Sequence, residues 1–94
     1  MTYYIRLAGQ EYFSKPCEKI EQARVWGVNH WDSVKQKLYK VGDKWIWGFP
    51  IYPSQSAKKP KGYVIAADSF YYVTTIKGEF SARKILKDGS LKRS

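Results

Sequence analysis

The sequence predicts an α+β domain in which two short helices pack on one face of an antiparallel sheet of three or four strands. Three observations carry this expectation. Trp31, Val34, Leu38 and Val41 fall at i, i+3, i+7 and i+10, the spacing of a single apolar stripe along a helix. The period then changes to two, so that Trp45, Trp47, Phe49 and Ile51 share one face of an extended segment over residues 44–52. Beyond residue 62, runs rich in Tyr, Val, Ile and Thr alternate with the turn signals Asp68-Ser69, Lys77-Gly78 and Asp88-Gly89. At 94 residues the chain is one domain, 1–94, and a domain this small relies on a few large side chains for its core.

Taken in order, residues 3–7 (YYIRL) form a first strand that stops at Ala8-Gly9. Ser14-Lys15-Pro16 opens the first helix, with proline suited to the first turn and Glu18 and Glu21 near the positive end of the dipole. Cys17, Ile20, Ala23 and Trp26 make its inner face, and Gly27 is its stop. Asn29 caps the second helix with Asp32 at the N3 position, and Gly42 ends it in the left-handed conformation. Residues 53–62 hold two prolines, two serines and a closing glycine around Lys58, Lys59 and Lys61, the composition of a flexible basic loop. Strands follow over 63–67, 70–76 and 79–86, the last also compatible with a helix over 80–86, and residues 88–94 form a basic tail. Trp26, Trp31, Trp45 and Trp47 are expected between the layers.

Seventeen Lys and Arg against 8 Asp and Glu give a formal charge of +9, which draws a protein to polyanions. Residues 48–94 carry 9 basic and 3 acidic groups against 8 and 5 in residues 1–47. Cys17 is the single cysteine, so no intrachain disulfide forms and the cytoplasm, including that of a host cell, is the expected compartment. No apolar run is long enough for a signal peptide or a membrane span, so no membrane partner is expected.

Catalysis has little to work with. There is no His/Cys cluster at metal spacing, no Gly-rich phosphate loop and no G-x-S-x-G elbow, so neither enzyme activity nor a cofactor or metal is expected. His30 reads as a surface residue at a helix start and Cys17 as a small buried hydrophobe, although a thiol near a helix N-terminus can also be activated. Asp32, Asp43, Asp68 and Asp88 are explained as cap and turn residues.

Binding has more support. Ala23, Gly27 and Val28 resemble the Ala-x-x-x-Gly-hydrophobic core of a helix-turn-helix, with Val34 one position later than the pattern requires. That resemblance makes the winged helix the closest named fold. It implies that Ser33, Gln36, Lys37 and Lys40 face base edges. Independently of it, Lys35, Lys37, Lys40 and Lys44 at one end of the second helix and Lys58, Lys59 and Lys61 in the loop can reach phosphates. A second arrangement uses the sheet as platform, with Tyr63, Tyr71 and Tyr72 stacking unpaired bases and Arg83 and Lys84 on the backbone. The expected function is therefore non-enzymatic nucleic-acid binding, DNA favoured over RNA, through the second helix and the 53–62 loop. The alternative is a small inhibitor docking on a host protein such as a nucleic-acid enzyme or defence nuclease. Size and charge resemble those of small phage and mobile-element proteins of both kinds. The sequence leaves the oligomeric state open.

Overall fold

The structure, a computed structural model, describes residues 2–9, 14–75 and 82–93. Strands β1 (Tyr3–Arg6) and β2 (Ser14–Cys17) form an antiparallel pair, followed by helix α1 (Ile20–Asn29) and a 3-10 turn at Trp31–Ser33. A five-stranded antiparallel meander then runs β3 (Lys37–Val41), β4 (Lys44–Ile51), β5 (Gly62–Ala66), β6 (Phe70–Val73) and β7 (Arg83–Lys84). Among the described residues the expected two helices on a sheet of three or four strands are thus replaced by one helix, a 3-10 turn and two antiparallel sheets of two and five strands. With the second helix goes the winged-helix comparison.

The physical reason lies at Gly42-Asp43. The apolar spacing at 31, 34, 38 and 41 fits a helix, but Gly-Asp between two runs rich in large and β-branched residues is also a two-residue hairpin loop. Gly42 has φ of +63 and no described non-Gly residue has positive φ, the pattern of a turn with glycine at its first central position. Gly42 does adopt the left-handed conformation, but it closes a hairpin that pairs Val41 with Lys44 and Leu38 with Trp47.

The first helix is also displaced. Ser14 to Cys17 pair with β1, with Pro16 opposite Tyr4 on a strand that has no second neighbour among the described residues, where a missing N–H is tolerated. The helix begins only after Lys19, whose backbone N–H donates to Gln22 Oε1 at 3.2 Å. Gly27 lies inside α1 rather than beyond its end, so no helix-turn-helix bend occurs there. A Cβ at Gly27 would overlap the tip of the Phe49 ring, so glycine allows the helix to rest directly on β4.

β1 is the joint between the layers. Its Tyr4 exchanges backbone hydrogen bonds with Tyr52 just past β4 (2.8 and 2.9 Å), and its far end bonds the 33–35 segment through Ala8 N–H to Ser33 and Lys35 N–H to Arg6. Ile5, Cys17, Ala23, Val34, Phe49, Ile51, Val64 and Tyr72 form the buried core between α1, β1 and the helix-facing side of the meander. Trp31 joins it edge-on, 5.9 Å from Phe49 and 5.2 Å from Phe70 between ring centroids. The buried Arg24 of α1 donates to the Gly89 carbonyl at 2.8 Å and stacks 4.3 Å from the Tyr72 ring centre. Residues 85–92 are held further by an Ile85–Leu91 bridge and by Lys92 N–H donating to Lys84. The anticipated turn at Lys77-Gly78 lies outside the described residues; of the 79–86 segment, Arg83 and Lys84 are strand.

Phe49 and Trp45 sit on the same face of β4 with opposite burial, 0% and 65% exposed. Phe49→Ala is expected to lower unfolding free energy by about 3–5 kcal/mol, and Trp45→Ala by no more than about 0.5 kcal/mol, as for an exposed position. Gly27→Ala is expected to cost about 1–3 kcal/mol through overpacking, against a gain of about 1 kcal/mol in helix propensity. Urea unfolding of the three variants checks this ranking, and equal losses for Phe49→Ala and Trp45→Ala would contradict it.

Candidate functional site

A β-ribbon arises where β4 outruns its neighbours. Only Gly48 to Ile51 pair with β5, so Lys44 to Trp47 are held by β3 alone and project with it as a two-stranded arm. Cross-strand partners share a face. Leu38 and Trp47 therefore lie together, with Lys40 and Trp45 beside them, on the side of the sheet that carries the helix. Tyr39, Ile46, Val41 and Lys44 occupy the other face.

The helix does not reach this arm. Ten residues of α1 span about 15 Å, whereas the eight of β4 span about 26 Å. Trp47 is 51% exposed and Leu38 46%, so the four tryptophans divide: Trp26 and Trp31 pack against the core while Trp45 and Trp47 remain outside it. The expectation that all four lie between the layers is corrected accordingly. Simple alternation could not reveal this, because Trp45, Trp47, Phe49 and Ile51 continue one period without a break. A length comparison between helix and strand could have.

The residues anticipated as nucleic-acid contacts fall into separate groups. Lys37, Lys40 and Lys44 project from the arm, with the exposed Lys35 just before it. Ser33 lies in the 3-10 turn, where its carbonyl accepts from Ala8, and the Gln36 amide donates to the Trp31 carbonyl at 2.7 Å. Neither stands on a recognition helix. Lys58, Lys59 and Lys61 lie beyond the opposite end of β4, about 26 Å from the arm's turn at 3.3 Å per residue. Their loop is anchored by Lys61 N–H to Ile51 at 2.7 Å and by Arg6 to the Gln55 carbonyl at 3.3 Å. The lysines assigned to the second helix and those of the loop therefore do not share one surface.

Arg83 and Lys84 lie on β7, the edge opposite β3, where they line a concavity with Tyr71, Lys92 and Arg93. Of the three tyrosines considered as a stacking platform, Tyr63 and Tyr71 lie on the sheet face away from α1, beside the buried Ile65 and Val73, and Tyr72 is buried beneath α1. Tyr39 lies on the same face as Tyr63, with its ring 5.0 Å from that of Tyr63. Sequence reading missed Leu38, Trp45 and Trp47 as surface anchors and Lys92 and Arg93 as partners of Arg83.

The other candidate groups are engaged structurally. His30 stacks on Trp26 at 4.2 Å between ring centres and its Nδ1 donates to the Trp26 carbonyl at 2.9 Å. Cys17 is buried, and desolvation pushes its thiol pKa up despite the nearby Lys15 charge. Among the described residues no three His, Cys, Asp or Glu side chains converge to hold a metal, and no helix is long and apolar enough to cross a membrane. No family model matches the chain, and no curated protein or solved structure is significantly similar to it.

Several weak acids have pKa values raised by burial. Desolvation raises Tyr39, Tyr63 and Tyr72, and a hydrogen bond to Asp68 raises Tyr71. A weak acid whose pKa is higher when folded stabilises the protein fully below its unfolded value and loses that contribution as pH rises through the folded value. Stability is therefore expected to decline above pH 9.0 for Cys17 and 10.0 for the tyrosines, their ordinary values. Thermal unfolding between neutral pH and pH 11, read beside phenolate absorbance, tests it; a flat melting temperature through tyrosine ionisation would contradict the assignment.

Proposed function

We propose that the protein binds nucleic acid through the β3–β4 arm, with unpaired bases stacking on Trp45 and Trp47 and phosphates held by Lys40 on the same face and by Lys37 and Lys44, which reach round the edges of the ribbon from its other face. The observation that carries this reading is the pair of indoles, 65% and 51% exposed, side by side on a ribbon with Lys40 directly opposite Trp45. Large apolar surface left in water marks a contact site. Aromatic rings interleaved with lysines suit a ligand that offers base faces and phosphates together. Asp43 is the arm's single acidic group over residues 35–48, against Lys35, Lys37, Lys40 and Lys44.

Duplex reading by a helix is not part of the proposal. Arg24 is the only basic residue of α1, and it is buried against Tyr72 and Gly89. The preference for DNA over RNA rested on that helix, whereas stacking serves both because every base presents a π face. Arg83 and Lys84 lie on the other edge and the 53–62 loop beyond the far end of β4, so neither belongs to this surface.

Titration of single-stranded DNA, single-stranded RNA and duplex DNA at two salt concentrations tests the reading. Single strands are expected to bind more tightly than duplex, with a log–log salt slope of about −2 for three phosphate contacts. Trp45→Ala or Trp47→Ala is expected to weaken single-strand binding about tenfold, the lower part of the range for one stacked base, while the combined Lys58, Lys59 and Lys61→Ala variant binds as the parent does. No binding to any of the three, with a protein partner retained by the parent and lost by Trp45→Ala and Trp47→Ala, would overturn it in favour of the inhibitor reading.

A further inference from the structure

The opposite edge of the meander carries a second basic feature that the arm does not use. A concavity of about 420 Å³ opens beside β7, lined by Tyr71, Ala82, Arg83, Lys84, Lys92 and Arg93. Four of these six side chains are cationic and none is acidic. Like charges gathered at one edge repel one another, though only weakly because Lys84, Lys92 and Arg93 are exposed to screening solvent.

The fold nevertheless holds them together by specific bonds. Arg83 Nε donates to the Lys92 carbonyl at 3.1 Å and its Nη2 reaches the Leu91 carbonyl at 3.5 Å. Lys92 N–H donates to the Lys84 carbonyl at 2.8 Å, and Ile85 bridges Leu91. These contacts bring the basic end of the chain alongside β7. They also fix one edge of the Arg83 guanidinium, and among the described residues its remaining N–H groups make no other hydrogen bond. Tyr71 stands opposite Lys84 in the register.

We propose that this concavity is an anion site that binds the phosphate group of a phosphoester, with Arg83 as the fixed fork and Lys84, Lys92 and Arg93 as mobile charges closing over it. A guanidinium held by one edge presents a planar donor pair that matches two phosphate oxygens, and flexible ammonium groups add charge without demanding a single geometry. Four cations suit a dianionic terminal phosphate or a pyrophosphate better than one bridging phosphodiester. The shared chemistry is the phosphate; its source is either a free phosphoester or the phosphorylated end of a nucleic acid. The site does not depend on the β3–β4 arm.

Amide NMR of the full chain, titrated with inorganic pyrophosphate, tests the proposal. Saturable shifts are expected at residues 82–85 and 91–93, and affinity should fall at least about tenfold in Lys84→Gln/Arg93→Gln, which removes two charge-assisted contacts at exposed positions. The arm variant Lys40→Gln/Lys44→Gln should bind pyrophosphate as the parent does, so failure of the arm reading and failure of this one are separable. Oligonucleotides of about eight nucleotides with and without a 5′-phosphate identify the source. Tighter binding of the phosphorylated strand, competed by pyrophosphate, assigns a nucleic-acid end, and equal binding of the two assigns a free phosphoester. Shifts scattered over all exposed lysines, or unchanged affinity in Lys84→Gln/Arg93→Gln, would overturn the assignment.

Discussion

The close approach of α1 to β4 at Gly27 is the contact on which the rest of the architecture depends. A glycine at that turn of the helix lets its backbone lie against the Phe49 ring, and the fully buried Phe49 then supports Trp31, which in turn touches Phe70 on β6. One side-chain-free position thereby connects the helix to the centre of the sheet. In a domain of 94 residues, where few large side chains are available for a core, such a contact has a disproportionate share in stability.

The same contact decides what is left uncovered. Placed over Phe49, a helix of ten residues shields the half of β4 that also pairs with β5, and the other half extends past it as the β3–β4 arm. The apolar face of a single strand is thus divided between core and solvent by the length of the element lying on it. Charge is divided as well. The helix contributes no exposed cation, the arm carries Lys37, Lys40 and Lys44, and the opposite edge gathers Arg83, Lys84, Lys92 and Arg93. One cross-strand row, Lys37–Gly48–Ile65–Tyr71–Lys84, crosses the face away from α1 and ends in a lysine at each edge.

Part of this was legible from local pattern. The first strand, the alternation through Trp45 and Ile51, the strands after residue 62 and the turn at Asp68-Ser69 all depend on neighbours in sequence, and the described residues place strands at 3–6, 44–51, 62–66 and 70–73. The helical stripe from Trp31 to Val41 was misleading because residues 34–41 satisfy a strand as well: Leu38 and Lys40 fall on one face, Lys37, Tyr39 and Val41 on the other. The deciding residues were Gly42 and Asp43, which fit a helix C-terminus and a hairpin loop equally by composition. Pairing of β3 with β4 over five residue pairs stabilises the hairpin, and no local propensity reports that gain.

By itself the sequence determined an excess of positive charge, a surplus of aromatic rings, a single cysteine and the two-residue period of its central strand, all properties of composition or of adjacent residues. Which tryptophans are buried, and which lysines stand together, was decided only by tertiary structure. Both depend on where a short helix comes to rest and on how far each strand finds a neighbour, and these are distances between parts of the chain that local pattern does not encode.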